Sequence, residues 1–168
     1  MPLVRQRPAP EYRAGIGYDV HRLVAKRKLM LGGVKVPYAR GLEGHSDADV
    51  LLHAVMDAVL GAAGLGDIGV HFPDTSRKYK GVSSLLLLKE VGAAAVKAGF
   101  VIVNVDAVLL AEEPKIQLYK KTMRARIARA LGIDASRVNI KATTNEGLGF
   151  VGAKQGMAAY AAASLMKA

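Results

Sequence analysis

The stretch Ala14-Gly15-Ile16-Gly17-Tyr18-Asp19-Val20-His21 is short and apolar, holds two glycines, and ends on an acid and a histidine two residues apart. This composition predicts the first strand of the domain. Alternate side chains of a strand point to opposite faces, so Asp19 and His21 share one face and can reach one metal ion. Leu29 to Pro37 has the same strand character, with Gly32-Gly33 as a bend. After a loop over 39–44, Ser46 is the predicted N-cap of a helix, with Asp49 three residues later completing a capping box. That helix is expected to run to about Ala63. Its apolar residues Val50, Leu51, Ala54, Val55, Ala58 and Val59 recur at helical spacing, while Asp49, His53 and Asp57 fall four apart on another face.

Farther out, 64–80 reads as a loop long enough to reach a site, with Asp67-Ile68-Gly69 and Phe72-Pro73-Asp74 as turn elements. A second helix is expected over 82–98 and a strand over 101–110. Pro114 at the first helical position opens a third helix to Leu131, ended by Gly132. A strand over 138–143 and a glycine-rich loop over 145–156 follow. The tail Met157 to Lys167 admits two readings: its alanines favour helix on propensity, while an edge or interface strand accepts the same small side chains. Strands interleaved with three helices predict an α+β fold, a βαβ-based, ferredoxin-like mixed sheet with helices packed on one side.

A chain of 168 residues with 51% apolar content supports one domain, expected over 14–168, and is too short for two. Residues 1–13, with three prolines and no acid before Glu11, read as a flexible extension that lacks a secretory apolar stretch. No apolar run approaches the roughly 20 residues a spanning helix needs, so no membrane partner is expected. The absence of cysteine leaves only oxygen and nitrogen ligands for a metal. The net charge of +10 favours anionic partners without separating a diphosphate metabolite from a nucleic acid. Scattered aromatics offer no stacking platform, and the acids Asp19, Asp49, Asp57, Asp67 and Asp74 would repel a nucleic-acid backbone, so nucleic acid is not the expected partner.

Two imidazoles and one carboxylate with a fourth position free make a catalytic rather than a closed zinc site, and Asp19, His21 and His53 supply that set. His45 can be a third imidazole ligand, a phosphate-facing donor or an ordinary loop histidine. Ser46 can donate to a phosphate at the positive end of the helix dipole, or simply cap the helix. Thr143-Thr144-Asn145-Glu146 offers two hydroxyls for phosphate oxygens and a carboxylate for a hard divalent ion; a turn of small polar residues is the other reading. Ala111 to Ile116 can read a base edge or merely connect a strand to a helix. Gly15-x-Gly17 lacks the spacing of a dinucleotide fingerprint, and there is no phosphate-loop lysine motif. Other classes that could use these residues are a metal-dependent phosphohydrolase or nuclease, and a basic nucleic-acid module in which the Asp and His residues are structural.

Five blocks taken together resemble the 2-C-methyl-D-erythritol 2,4-cyclodiphosphate synthase family over about Arg13 to Lys167. They are Gly17-Tyr18-Asp19-Val20-His21; His45-Ser46-Asp47 leading into Ala48-Asp49-Val50-Leu51-Leu52-His53; Leu65-Gly66-Asp67-Ile68-Gly69 with Phe72-Pro73-Asp74; Asn104-Val105-Asp106; and Lys141 to Phe150. The resemblance implies a phosphorus–oxygen lyase of the non-mevalonate isoprenoid route. Such an enzyme cyclises 4-diphosphocytidyl-2-C-methyl-D-erythritol 2-phosphate to the 2,4-cyclodiphosphate with release of CMP. It implies zinc at Asp19, His21 and His53, and magnesium or manganese at Glu146. His45 and Ser46 then meet the substrate phosphates, Asp67, Gly69 and Asp74 the methylerythritol, and Asp57 the ribose. Ala111, Pro114, Lys115 and Ile116 line a cytosine pocket, and Thr143 and Thr144 contact the nucleotide diphosphate. The resemblance also implies a homotrimer with sites between subunits and a strand for the tail, and the enzyme is expected in the cytoplasm. One departure stands out: Ala153 occupies the place of a family arginine that faces an anion near the trimer axis.

Overall fold

In the computed structural model, which describes residues 11–168, the chain begins with β1 (Tyr12–Ala25), β2 (Leu29–Leu31), β3 (Val34–Val36) and β4 (Arg40–Leu42). Helix α1 (Val50–Ala63), the single turn α2 (Ile68–His71) and α3 (Ser84–Lys97) follow. Then come β5 (Phe100–Leu110), α4 (Lys120–Leu131), β6 (Val138–Thr143), the short α5 (Gly149–Gly152) and β7 (Gly156–Lys167). Five strands form one mixed sheet in the order β4-β1-β7-β5-β6, and β2 and β3 form a separate hairpin. β5 and β6 pair in parallel through the α4 crossover, while β7 is antiparallel to both its neighbours. The expected α+β architecture, with helices against one side of a mixed sheet, is present.

The tail resolves as a strand, and a central one rather than an edge. Tyr160 pairs with Tyr18 on one side and Val108 on the other. Alanine's helix propensity is overridden because Ala159, Ala161 and Ala163 are buried under α1, where only small side chains let a helix lie close to a sheet. Helix α1 is buried nearly all round, with Leu51, Leu52, Val55, Met56, Val59 and Leu60 fully inside, each contributing about 1.5–3 kcal/mol.

Several boundaries differ from expectation. β1 takes up Tyr12 and Arg13 and continues to Ala25, because it finds partners along its whole length, first β7 and then β4. The remainder of the expected extension, residues 1–10, lies outside the described residues. The strand expected over 29–37 is two strands, reversed at Gly32 and Gly33, whose φ of 56° and 74° are those of a tight hairpin turn. α4 begins at Lys120, not Pro114: the intervening segment turns so that Ile116 is buried, and Tyr119 N–H donates to the Ile116 carbonyl. Arg124 and Arg126 of the basic α4 cluster donate to backbone carbonyls of Val138 and Gly33, so part of that charge serves the fold.

The sheet face away from the helices is apolar and open. Ile16 is 84% exposed, and Tyr18, Val20 and Tyr160 share that surface, with the two tyrosine rings 4.7 Å apart. Among the described residues no helix is long and apolar enough to cross a membrane.

Candidate active site

Two glycines bring β1 against α1. A Cβ on Gly15 would overlap the Ala58 carbonyl, and one on Gly17 the Ala54 carbonyl, so strand and helix touch backbone to backbone. The next two residues on that strand face are Asp19 and His21, and they meet His53 on the first turn of α1. His53 Nδ1 lies 2.9 Å from Asp19 Oδ2 and 3.0 Å from His21 Nε2, and the same Asp19 oxygen is 2.9 Å from His21 Nε2. Among the described residues this is the group of acidic and imidazole side chains that could hold a metal ion. Two imidazole nitrogens and one carboxylate oxygen at this spacing, on the wall of a cleft, fit zinc with a fourth position toward the cleft.

The electrostatics agree with that fit. Burial alone would raise the Asp19 carboxyl, but hydrogen bonds from His21 and His53 and their charge hold it down at about 2. Burial disfavours the His53 imidazolium; the hydrogen bond and charge of Asp19, with the charges of Asp49 and Asp47, outweigh it and raise the ring. A site that attracts protons to nitrogen beside an ionised carboxylate will also attract a cation.

The start of α1 departs from the predicted capping box. Asp49, fully buried, is the N-cap: Oδ1 accepts from Leu52 N at 3.1 Å and Gly32 N at 2.9 Å, and Oδ2 from Gly33 N at 2.6 Å. Burial raises this carboxyl to about 6. Ser46 cannot cap, because Ala48 takes a left-handed conformation (φ 57°) that turns the chain between Ser46 and the helix. Instead Ser46 Oγ accepts from Ala48 N at 3.1 Å and lies 3.2 Å from His53 Nε2. The helix N-terminus is thus satisfied by Asp49, and Ser46 faces the cleft from beside it.

The cleft has a volume of about 590 Å³, and its walls include His45, Ser46, Gly69 and Asp74 as well as the Asp and His cluster. His45 Nε2 donates to the Ser76 carbonyl at 2.9 Å, pinning the loop that carries Asp74. Asp67 is not on the wall; it caps α2 by accepting from Val70 N at 3.0 Å. Asp57 is likewise set back, accepting from Ile68 N at 2.8 Å. A separate cavity of about 160 Å³ is lined by Ala111, Pro114, Lys115, Ile116, Thr143 and Thr144, the residues read from sequence as a base and phosphate pocket. Glu146 joins neither cavity. It is exposed, in a left-handed conformation (φ 53°), and accepts from Thr144 Oγ1 at 3.1 Å.

Sequence reasoning missed a polar partner of His53 and the acid that holds it. Ser84, fully buried at the start of α3, places Oγ 3.0 Å from His53 Nε2, and Asp47 in turn holds Ser84. A serine at a helix start reads as a cap, and nothing in its spacing points to a residue 31 positions earlier. The aromatic wall of the cleft, Phe72 against Tyr79 with ring centroids 5.4 Å apart, was also not singled out.

The model of the YgbB family matches residues 12–166. A protein of Alkaliphilus oremlandii (strain OhILAs) named 2-C-methyl-D-erythritol 2,4-cyclodiphosphate synthase is 60% identical over 156 residues, covering 93% of this chain and 99% of that one. One of the same name from Clostridium botulinum (strain Alaska E43 / Type E3) is 56% identical over 155 residues, covering 92% and 99%. Among solved structures, the bifunctional IspDF of Campylobacter jejuni superposes with a TM-score of 0.92 at 44% identity, over 96% of this chain but 44% of that longer one. The CDP complex of IspF from Plasmodium falciparum gives a TM-score of 0.81 at 33% identity, over 93% and 96%. With the match running almost end to end and every block of the cleft inside it, this chain belongs to the YgbB family.

Proposed function

We infer that the chain is a divalent-metal-dependent phosphorus–oxygen lyase of the non-mevalonate isoprenoid route. It cyclises 4-diphosphocytidyl-2-C-methyl-D-erythritol 2-phosphate to 2-C-methyl-D-erythritol 2,4-cyclodiphosphate and releases CMP. The observation that carries this is the Asp19, His21 and His53 cluster opening on its cleft, in a chain 60% identical over 156 residues to a synthase of that name.

In the reaction an oxygen of the 2-phosphate attacks the β-phosphorus of the cytidine diphosphate, the bond to CMP breaks and the eight-membered ring closes. The attacking oxygen is already anionic, so the chain needs no strong base. Zinc at Asp19, His21 and His53, with magnesium or manganese at Glu146, would cancel the repulsion between the two phosphates and stabilise the charge that builds on the reacting phosphorus. The protein's own part is to hold a flexible polyol folded with its ends in line. We assign Asp67, Gly69 and Asp74 to the methylerythritol and Asp57 to the ribose. Ser46 and His45 take the phosphates, with His45 steadied through Nε2 on the Ser76 carbonyl. Ala111, Pro114, Lys115 and Ile116 hold the cytosine, and Thr143 and Thr144 the diphosphate.

The assembly in this proposal is a homotrimer with each site between neighbouring subunits. Support comes from the two cavities of one chain, which share no lining residue, an arrangement that a nucleotide pocket supplied by a second copy would complete. The open apolar sheet face offers surface for such an assembly. A cytoplasmic location, and a single domain that takes in β1 from Tyr12 onward, belong to the same proposal. Incubating the protein with the cytidylylated 2-phosphate, zinc and magnesium should yield CMP and the cyclic diphosphate in equal amounts by mass analysis. Release of inorganic phosphate without cyclic product would replace the lyase by a phosphohydrolase.

A further inference from the structure

Which nitrogen of His53 meets the ion depends on where the ring keeps its proton. Nδ1 faces Asp19 and His21, whereas Nε2 faces the hydroxyls of Ser84 at 3.0 Å and Ser46 at 3.2 Å. Ser84 is fully buried, and both its donors point at one carboxylate. Its hydroxyl lies 2.5 Å from Asp47 Oδ1, and its backbone N–H 3.1 Å from Asp47 Oδ2. An ionised carboxylate only accepts, and a serine hydroxyl has a single proton to donate. With that proton committed to Asp47, Ser84 Oγ can only accept from His53. Asp19 Oδ2, an acceptor too, lies 2.9 Å from Nδ1; a cation between them takes the place of a proton there, and the ring then keeps its own proton on Nε2, donated to Ser84.

We propose that Ser84 and Asp47 are positioning residues that hold His53 in the Nε2–H tautomer, so that Nδ1 is the metal-binding atom. This rests on the reading of Asp19, His21 and His53 as zinc ligands. The arrangement also separates the two serines. Ser84 is bound up behind the ring, while Ser46, whose oxygen already accepts from Ala48 N, keeps its hydroxyl proton for a ligand in the cleft. The chain from Asp47 through Ser84 to His53 joins the loop before α1 to the first turn of α3, so the ring cannot rotate without breaking a buried hydrogen bond.

The inference is tested by zinc affinity and by tautomer, neither of which requires turnover. Partners of this kind typically change metal affinity 10–100-fold, so Ser84→Ala should raise the zinc dissociation constant by about that factor in competition with a chromogenic chelator. Asp47→Asn should act further. To keep the Ser84 N–H satisfied, the amide must turn its NH₂ toward Ser84 Oγ, which then donates to His53 Nε2 and moves the ring proton to Nδ1. In ¹⁵N spectra of the zinc-loaded protein, parent His53 should therefore show a slowly exchanging Nε2–H, and the D47N ring should lack it at the same zinc concentration. If S84A does not fold, D47N carries the test through both readouts. A purely structural role would lower the melting temperature while leaving zinc affinity and tautomer at parent values, and that result overturns the proposal. His53→Ala separates the two layers: zinc bound as tightly as in the parent refutes the metal cluster itself, whereas loss of zinc in H53A with parent affinity in S84A and D47N refutes only the relay.

Discussion

The Asp19, His21 and His53 cluster and the Thr143 to Glu146 loop, to which the proposed function assigns the two ions, are built in opposite ways. His53 is 8% exposed, lies within 3.0 Å of both partners and is fixed from behind by a buried serine. Glu146 is exposed and among the described residues its carboxylate is met by its neighbour Thr144, on a loop whose backbone is held by Glu112 accepting from Asn145 N at 2.9 Å. The first region is complete within one chain, because strand, helix and hairpin close on it through backbone contacts. The second presents its groups outward. Substitutions in the first should act through geometry and metal content, and those in the second through ligand affinity alone.

The largest effect should come from His53→Ala. Removing one of three ligands should abolish zinc binding and lower turnover about 10³-fold or more, several kcal/mol of lost charge stabilisation, with far-ultraviolet dichroism near that of the parent. Parent activity in metal-depleted H53A would end the distinction between the two regions.

Asp49 gives a pH-dependent test of how the first region is fastened. Its folded value of about 6 lies above the ordinary carboxyl value of 3.8 because of burial, so its contribution to stability is fully present below about 3.8 and is lost as pH rises through about 6. Asp49→Asn cannot titrate. The stability advantage of the parent over D49N, measured by urea unfolding, should therefore shrink between pH 4 and 6 by up to roughly 3 kcal/mol. A gap that widens over that range would contradict the sign.

Gly17→Ala tests the backbone contact between β1 and α1. The added methyl would overlap the Ala54 carbonyl and crowd the Ala58 backbone nitrogen, so unfolding should become easier by about 1–3 kcal/mol, and zinc affinity should fall with it as Asp19 and His21 are pushed from His53. A smaller and more selective change is expected of Glu146→Gln: about tenfold more magnesium for half-maximal turnover, roughly 1.4 kcal/mol, at unchanged zinc content. Loss of zinc in E146Q would show that the two regions are not independent.

The metal half was legible where chemistry follows a local period. The two-residue spacing of Asp19 and His21 on a strand, and His53 on the polar side of a helical pattern, were sufficient, and β6 lies where its apolar run ends. What failed was decided by contacts between distant residues. Asp49 displaced Ser46 as the cap because the hairpin turn at Gly32 and Gly33 offers it two more donors. The alanines of β7 became strand because α1 demands small residues beneath it. Ser84 could not be linked to His53 by any spacing. The roles expected of Asp57 and Asp67 rest on family resemblance; in the structure both accept from backbone amides beside the cleft.

The central claim is that close packing of β1 on α1 gathers three ligands for one ion. It is tested most directly by anomalous diffraction at the zinc edge on crystals grown with zinc. The account predicts one strong peak bonded to an Asp19 oxygen, His21 Nε2 and His53 Nδ1, on the wall of the cleft. No peak among these three residues, or a peak that engages His53 through Nε2, would contradict it.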